Sequence, residues 1–147
     1  MGHFVRIADS AEFKAPAERV WSLLLDWAAL IDWMPDGYIQ SLGMEGSGVG
    51  AIRHLVTGKG IHLSERLDKA DEAAGLLELS LVGDLPWNLL SYHARGTLES
   101  LGKNASRLNW TGTAELPRIG AEADFAVKVL GTSYRKMFQG IRREVES

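Results

Sequence analysis

The residues able to do chemistry in this 147-residue chain are few and widely spaced. It contains no cysteine, which removes disulfides, thiolate metal sites and thiol nucleophiles together and is compatible with a reducing compartment. The four histidines, His3, His54, His62 and His93, show neither the i, i+4 pairing nor the close spacing of a metal site, so no metal is expected. His93 reads as a solvated strand residue. Gly46-Ser47-Gly48-Val49-Gly50-Ala51 has the letters of a dinucleotide fingerprint, in which glycines let a helix N-terminus approach a pyrophosphate. The succeeding residues, Ile52 to Thr57, are β-like and offer no helix dipole, so the run reads as a glycine-rich hairpin and no cofactor is expected. Gly58-Lys59-Gly60 likewise lacks the Ser or Thr and the upstream glycine of a phosphate loop. Leu85-Pro86-Trp87 places three apolar residues at an expected loop tip, which suits a cavity lid or a partner contact.

The totals narrow the classes further. Apolar residues make up 46% and charged residues 24%, an ordinary globular balance, and the length suits one domain over 1–147. A net charge of -3 argues against a nucleic-acid partner. No stretch approaches eighteen apolar residues and Met1 to Ser10 does not read as a signal segment, so a cytoplasmic protein without a membrane span is expected.

The elements that must position any site are legible from periodicity. Phe4 to Lys14 alternates as a half-buried strand. Pro16 opens a helical stretch in which Val20, Leu23, Leu24, Trp27, Leu30 and Ile31 recur at spacings of three and four, as one helix or two short ones, until Met34-Pro35-Asp36-Gly37 stops it. From Tyr38 to Leu116, short runs separated by turn residues read as an antiparallel meander. Leu77, Leu79 and Leu81, then Leu90, Tyr92, Ala94, Gly96 and Leu98, then Leu108, Trp110, Gly112 and Ala114 form one inward face. In strand 51–57, Ile52 and Val56 compete with Leu55 for the inside, and alternation leaves the orientation open. Ala121 to Glu146 reads as a long helix with Phe125, Ala126, Val129, Leu130, Tyr134, Met137, Phe138, Ile141 and Val145 on one side. The fold class is therefore α+β: a curved antiparallel sheet of about seven strands around a long C-terminal helix, with two short helices between strands 1 and 2. Small inward residues, Ala94, Gly96, Gly112 and Ala114, are expected to leave a hollow under that helix.

This order resembles the START-like, birch-pollen-allergen-like helix-grip superfamily that includes polyketide cyclases. The resemblance rests on Ala15-Pro16-Ala17-Glu18-Arg19-Val20-Trp21, Trp33-Met34-Pro35 and Gly48-Val49-Gly50-Ala51-Ile52-Arg53. Leu63 to Asp68, Leu79 to Asp84 and Tyr92 are locally similar to the plant abscisic-acid receptor group. Thr57-Gly58-Lys59-Gly60 and Leu85-Pro86-Trp87 stand in place of that group's gate and latch, and Gln40 stands where its carboxylate-pairing lysine falls. The resemblance implies an internal cavity for a small hydrophobic ligand, aromatic, polyketide-like or lipid-like. It implies that Arg53, Leu55, Glu65, Leu79, Tyr92 and Trp110 face that cavity, that Phe125, Val129 and Ser133 close it from the helix, and that Lys59 and Trp87 sit on its gate loops.

An inward Glu65 costs several kcal/mol unless it is paired, so it needs a partner or a role. Two readings stand. In one, Glu65 anchors ligand or acts as a general base, with Arg53 and Tyr92 as cation and hydroxyl partners, as in a cyclase, dehydratase or lyase. In the other, Glu65 and Arg53 are a structural pair between neighbouring strands. A protein-interaction module docking through Trp87 and Lys59, and a homodimer, are further readings that the sequence leaves open.

Overall fold

The computed structural model of the chain, which describes residues 2–147, turns the alternating segments into seven strands. These are β1 (His3–Phe13), β2 (Ile39–Glu45), β3 (Ile52–Thr57), β4 (His62–Asp71), β5 (Leu76–Leu81), β6 (Ser91–Ser100) and β7 (Ser106–Leu116). They form one antiparallel sheet in the order β1-β7-β6-β5-β4-β3-β2, so every pair except β1–β7 is consecutive in the chain. Register shifts between Ile39 and Ser41 and between Leu67 and Lys69 add local bends at the β2–β5 end. The glycine run at 46–50 is the β2–β3 hairpin, with positive φ at Gly46, Gly48 and Gly50.

The helical stretch after β1 breaks into α1 (Ala17–Leu25), a 3-10 turn (Trp27–Ala29) and α2 (Leu30–Trp33). Pro16 is the residue before α1 rather than its first turn, with ψ 149° and no side-chain cap. Asp26, at ψ 83°, separates α1 from the 3-10 turn, and Met34 is held extended by Pro35 at the end of α2. One apolar stripe survives the break: Val20, Trp21, Leu24, Trp27, Leu30 and Trp33 are all buried.

The long helix α3 (Ala121–Val145) buries Ala123, Ala126, Leu130, Tyr134, Phe138, Ile141 and Val145, a 3.6-residue stripe laid against β1 and β7. Its C-terminal end is fastened. Arg19 donates to the carbonyls of Val145 (3.0 Å) and Glu144 (2.9 Å), and Arg143 donates to those of Trp33 (3.3 Å) and Met34 (3.2 Å). Gly140 lets α3 approach α2 so closely that a Cβ there would run into the Trp33 carbonyl. The wholly buried Ser106 hydroxyl donates to the Ala15 carbonyl at 2.9 Å, tying the β1–α1 connection to β7.

Three expectations need correction. The two inward glycines do not leave empty space above them: the Trp110 ring lies over Gly96, 2.6 Å from where a Cβ would stand, and the Tyr92 and Tyr134 hydroxyls occupy the position over Gly112. Leu85, Pro86 and Trp87 are half-buried rather than a bare tip, with Leu85 and Trp87 packed on the core. Consecutive left-handed residues, Trp87 at φ 57° and Asn88 at φ 59°, turn the chain tightly there. Phe125, assigned to the buried stripe, is 58% exposed, because the stripe that meets β1 runs through Ala123 and Ala126 on either side of it.

Candidate functional site

The ambiguity in β3 resolves in favour of its polar residue. Arg53 and Leu55 are buried, at 6% and 4% exposure, while Ile52 and Val56 are half-buried. Arg53 lies directly opposite Glu65 in the β3–β4 register, so both side chains rise from the same face, and Arg53 Nε donates to Glu65 Oε1 at 2.6 Å. Trp27 covers the pair. The guanidinium carbon stands 3.5 Å from the centre of its ring, Arg53 Nη1 donates to the Trp27 carbonyl at 3.2 Å, and the indole Nε1 donates to the Glu65 carbonyl at 3.4 Å. Burial lowers the Arg53 pKa while the Glu65 charge and hydrogen bond pull it back up. The break after Leu25 thus sets Trp27 over a buried ion pair.

Beside this pair stands a set of hydroxyls. Tyr92 on β6 and Tyr134 on α3 point at each other and share a short hydrogen bond in the interior, possible only because Gly112 on β7 has no side chain. Burial pushes the Tyr92 phenol well above its ordinary value, with the Tyr134 and Glu65 charges adding to the rise, and burial raises Tyr134 to about 12. Both are neutral donors at any physiological pH. The Tyr38 phenol, just before β2, lies beside Ser133 of α3; burial raises its pKa, Ser133 offsets part of that, and Glu65 adds a further rise. Tyr38, Leu63, Glu65 and Ser133 are half-buried, while α3 seats mainly on β1 and β7. The Ser133 hydroxyl also donates to the Leu130 carbonyl at 2.6 Å.

The structure therefore brings Arg53, Glu65, Tyr92, Trp110 and Ser133 together. The Trp110 ring stands edge-on to Tyr134 at 6.4 Å, and Leu55 and Leu79 contribute buried apolar surface. Val129 is half-buried on α3, and Phe125 lies exposed near its N-terminal end. Lys59 is exposed in the β3–β4 turn. Trp87 lies in the β5–β6 connection, whose Asn88 is hydrogen-bonded to Glu122 in the first turn of α3. Sequence reasoning missed Trp27 and Tyr38 as neighbours of the pair. Trp27 carried a helix-stripe signal and the general one of a large ring that can line a pocket or fill a core, and Tyr38 sits in a turn where periodicity says nothing. Among the described residues no His, Asp and Glu cluster is arranged to hold a metal ion, and no helix is long and apolar enough to cross a membrane.

A long helix gripped by a seven-stranded antiparallel sheet, with polar groups facing an aromatic interior, defines the helix-grip class. Within it, residues 5–146 match the family described as polyketide cyclase/dehydrase and lipid transport, and the chain belongs to that family. Solved structures agree on the fold. An uncharacterised protein from Bacillus thuringiensis superposes with TM-score 0.81 at 22% identity, covering 97% of this chain and 100% of its own. Norcoclaurine synthase from Thalictrum flavum, solved with dopamine and hydroxybenzaldehyde, gives TM-score 0.80 at 19% identity over 98% of this chain and 87% of its own. The protein Ara h 8.0201 gives TM-score 0.79 at 16% identity over 97% and 98%. No curated protein matches the sequence significantly.

Proposed function

We propose that the protein binds one small, neutral, largely apolar molecule on the half-open side between α3 and β4. The ligand's polar atom is held by the hydroxyls of Tyr38, Ser133, Tyr92 and Tyr134, and its apolar body lies against Leu63, Val129 and the interior aromatics. The observation that carries this reading is the cluster of phenols around Glu65, which is polar beyond what a packed core needs. Neutrality follows from charge. Arg53 is already compensated by Glu65 at 2.6 Å, so neither a carboxylate nor an ammonium finds an unpaired counter-charge there. The Tyr92–Tyr134 hydroxyl pair is filled by its own members in the unliganded chain, and a ligand oxygen binds by replacing one partner with itself.

The resemblance to polyketide cyclases supports a second reading, in which Glu65 moves a proton on the bound molecule. What favours it is the position of Glu65 close enough to both Tyr38 and Tyr92 to raise their pKa values. One experiment separates the two. Neutral aromatic ketones and phenols are titrated against the protein, following tryptophan fluorescence, with Tyr134→Phe and Glu65→Gln variants alongside. Binding predicts that Tyr134→Phe weakens a carbonyl ligand about tenfold, the worth of one buried hydrogen bond. Catalysis predicts that Glu65→Gln abolishes turnover of a ligand it still binds. Tighter binding of carboxylates than of their neutral analogues refutes the neutral-ligand reading.

A further inference from the structure

The outer face of the sheet carries an arrangement that the inner site does not use. Arg6 on β1, Asn109, Thr111 and Thr113 on β7, and His93, Arg95 and Thr97 on β6 line a depression of about 420 Å³. The register explains its shape. Arg6 is opposite Thr113, which is opposite His93, and in the next row Ala8 is opposite Thr111, which is opposite Arg95. Two arginines therefore rise on either side of β7, one row apart. Their strands are roughly 10 Å apart, a gap that two arginine side chains can close from both sides. Ala8 is too small to fill the space between them, and the threonines form the floor.

Among the described residues neither arginine there makes a salt bridge. The chain has ten arginines, and eight of them donate a hydrogen bond to a carboxylate, a carbonyl or a hydroxyl. Among the described residues, the two without such a partner are Arg6 and Arg95, and both stand in this one depression. The nearby carboxylates are engaged elsewhere. Glu78, across from Arg95 on β5, accepts from His93 at 3.0 Å; Glu99 is held by Asn109 at 3.0 Å and Arg107 at 3.4 Å; Glu115 accepts from Ser91 at 3.0 Å. The hydroxyls of Thr111 and Thr113 have no hydrogen-bond partner among the described residues. On a chain of net charge -3, this is a local cationic cup floored with free donors.

The geometry points to a binding site for a tetrahedral phosphate oxyanion, bridged by the Arg6 and Arg95 guanidiniums with the threonine hydroxyls donating from below. Guanidinium forks match phosphate oxygens in pairs, and such charge-assisted bonds are about twice as strong as neutral ones. The phosphate belongs to a soluble phosphomonoester or to a lipid headgroup, and the test distinguishes them. Amide resonances are followed during titration with inorganic phosphate and with phenyl phosphate at constant ionic strength, and flotation is measured with vesicles containing phosphatidic acid. Saturable shifts confined to residues 93–97 and 109–113 are expected. Arg6→Ala and Arg95→Ala should each weaken binding at least fivefold, and the double variant should abolish it. Arg135→Ala, an exposed arginine on α3, should leave it unchanged. Saturation by phenyl phosphate identifies the soluble source, and flotation lost in the double variant identifies the headgroup. Shifts that grow without saturation, or equal phosphate and vesicle binding by the double variant, overturn the site. Arg6, Arg95 and Arg135 are all exposed side chains, so the variants fold and the result is readable.

Discussion

The Arg53–Glu65 pair offers the sharpest test, because removing either partner should cost far more than removing both. At 2.6 Å and an effective dielectric constant of about 20, the gross attraction is about 6 kcal/mol. The desolvation of both ions offsets most of that, since the side chains are only 7% and 17% exposed, and each buried ion costs several kcal/mol. The pair as a whole therefore contributes little net stability, whereas either half alone is a buried, uncompensated charge. Glu65→Leu leaves Arg53 with only the Trp27 carbonyl and ring and should cost about 3–5 kcal/mol; Arg53→Met leaves the Glu65 carboxylate with no cation and should cost about 3 kcal/mol or more. The double variant Arg53→Met/Glu65→Leu should lose no more than about 2 kcal/mol. The resulting coupling is at least about 4 kcal/mol, measured as a double-mutant cycle in urea denaturation at pH 7 with the slope of each transition compared. A double variant as unstable as the sum of the singles would show that the two side chains do not compensate each other, and the electrostatic reading of the site would fall.

The buried phenols predict an alkaline transition. Tyr134 holds its proton up to about 12 in the folded chain against 10.0 when unfolded, so its contribution is complete below pH 10 and is lost as the pH rises toward 12. The full loss is about 2–3 kcal/mol, and Tyr134→Phe should flatten the fall of stability between pH 10 and 12 by one proton's slope; an unchanged slope refutes the assignment. Gly112→Ala and Gly140→Ala should differ. The first displaces two hydroxyls at the ends of side chains and should cost about 1–3 kcal/mol, while the second meets the Trp33 backbone carbonyl and should cost more, read as midpoint shifts in thermal melts. Equal shifts would mean that the α2–α3 contact yields as easily as a side chain. Ser106→Ala strips the Ala15 carbonyl of its donor at a wholly buried position and should cost about 1–3 kcal/mol in the same assay, against a change within about 0.5 kcal/mol for the exposed Ser10→Ala.

How much of this was legible in the sequence depended on which physical signal each residue carried. Alternation found the inner faces of β5, β6 and β7 because each presents polar residues to solvent on the other side, and the 3.6-residue stripe found α3 for the same reason. Two leucines show the limit of alternation. Leu76, which alternation with the inward Leu77 turns outward, is buried along with Leu77 at the start of β5, and Leu90, read as inward, is exposed just before β6 begins. On β3 the signal failed because the inward residue is an arginine. Hydrophobicity ranks Ile52 above Arg53, and only the opposed Glu65 one strand away and the Trp27 ring make Arg53 a buried residue. Pairing across strands is a tertiary fact that a one-dimensional period cannot contain.

The space over the two inward glycines is filled for a related reason. Small residues at 94, 96, 112 and 114 say that something large can approach, but not whether it comes from outside the chain or from within it. Here the approaching groups are Trp110, Tyr92 and Tyr134. That outcome shifts the site rather than removing it. Where the glycines admit phenol hydroxyls, the interior becomes a donor set already in place, and the proposed ligand site moves to the half-buried residues Tyr38, Leu63, Glu65 and Ser133. On the proposed function, a ligand there would meet hydroxyls whose protons are held by burial, next to a charge pair that is already closed. On the same reading, selectivity for a neutral, hydrogen-bonding molecule over an ion would be set by Glu65, whose inward position pairs the cation at Arg53 before any ligand arrives.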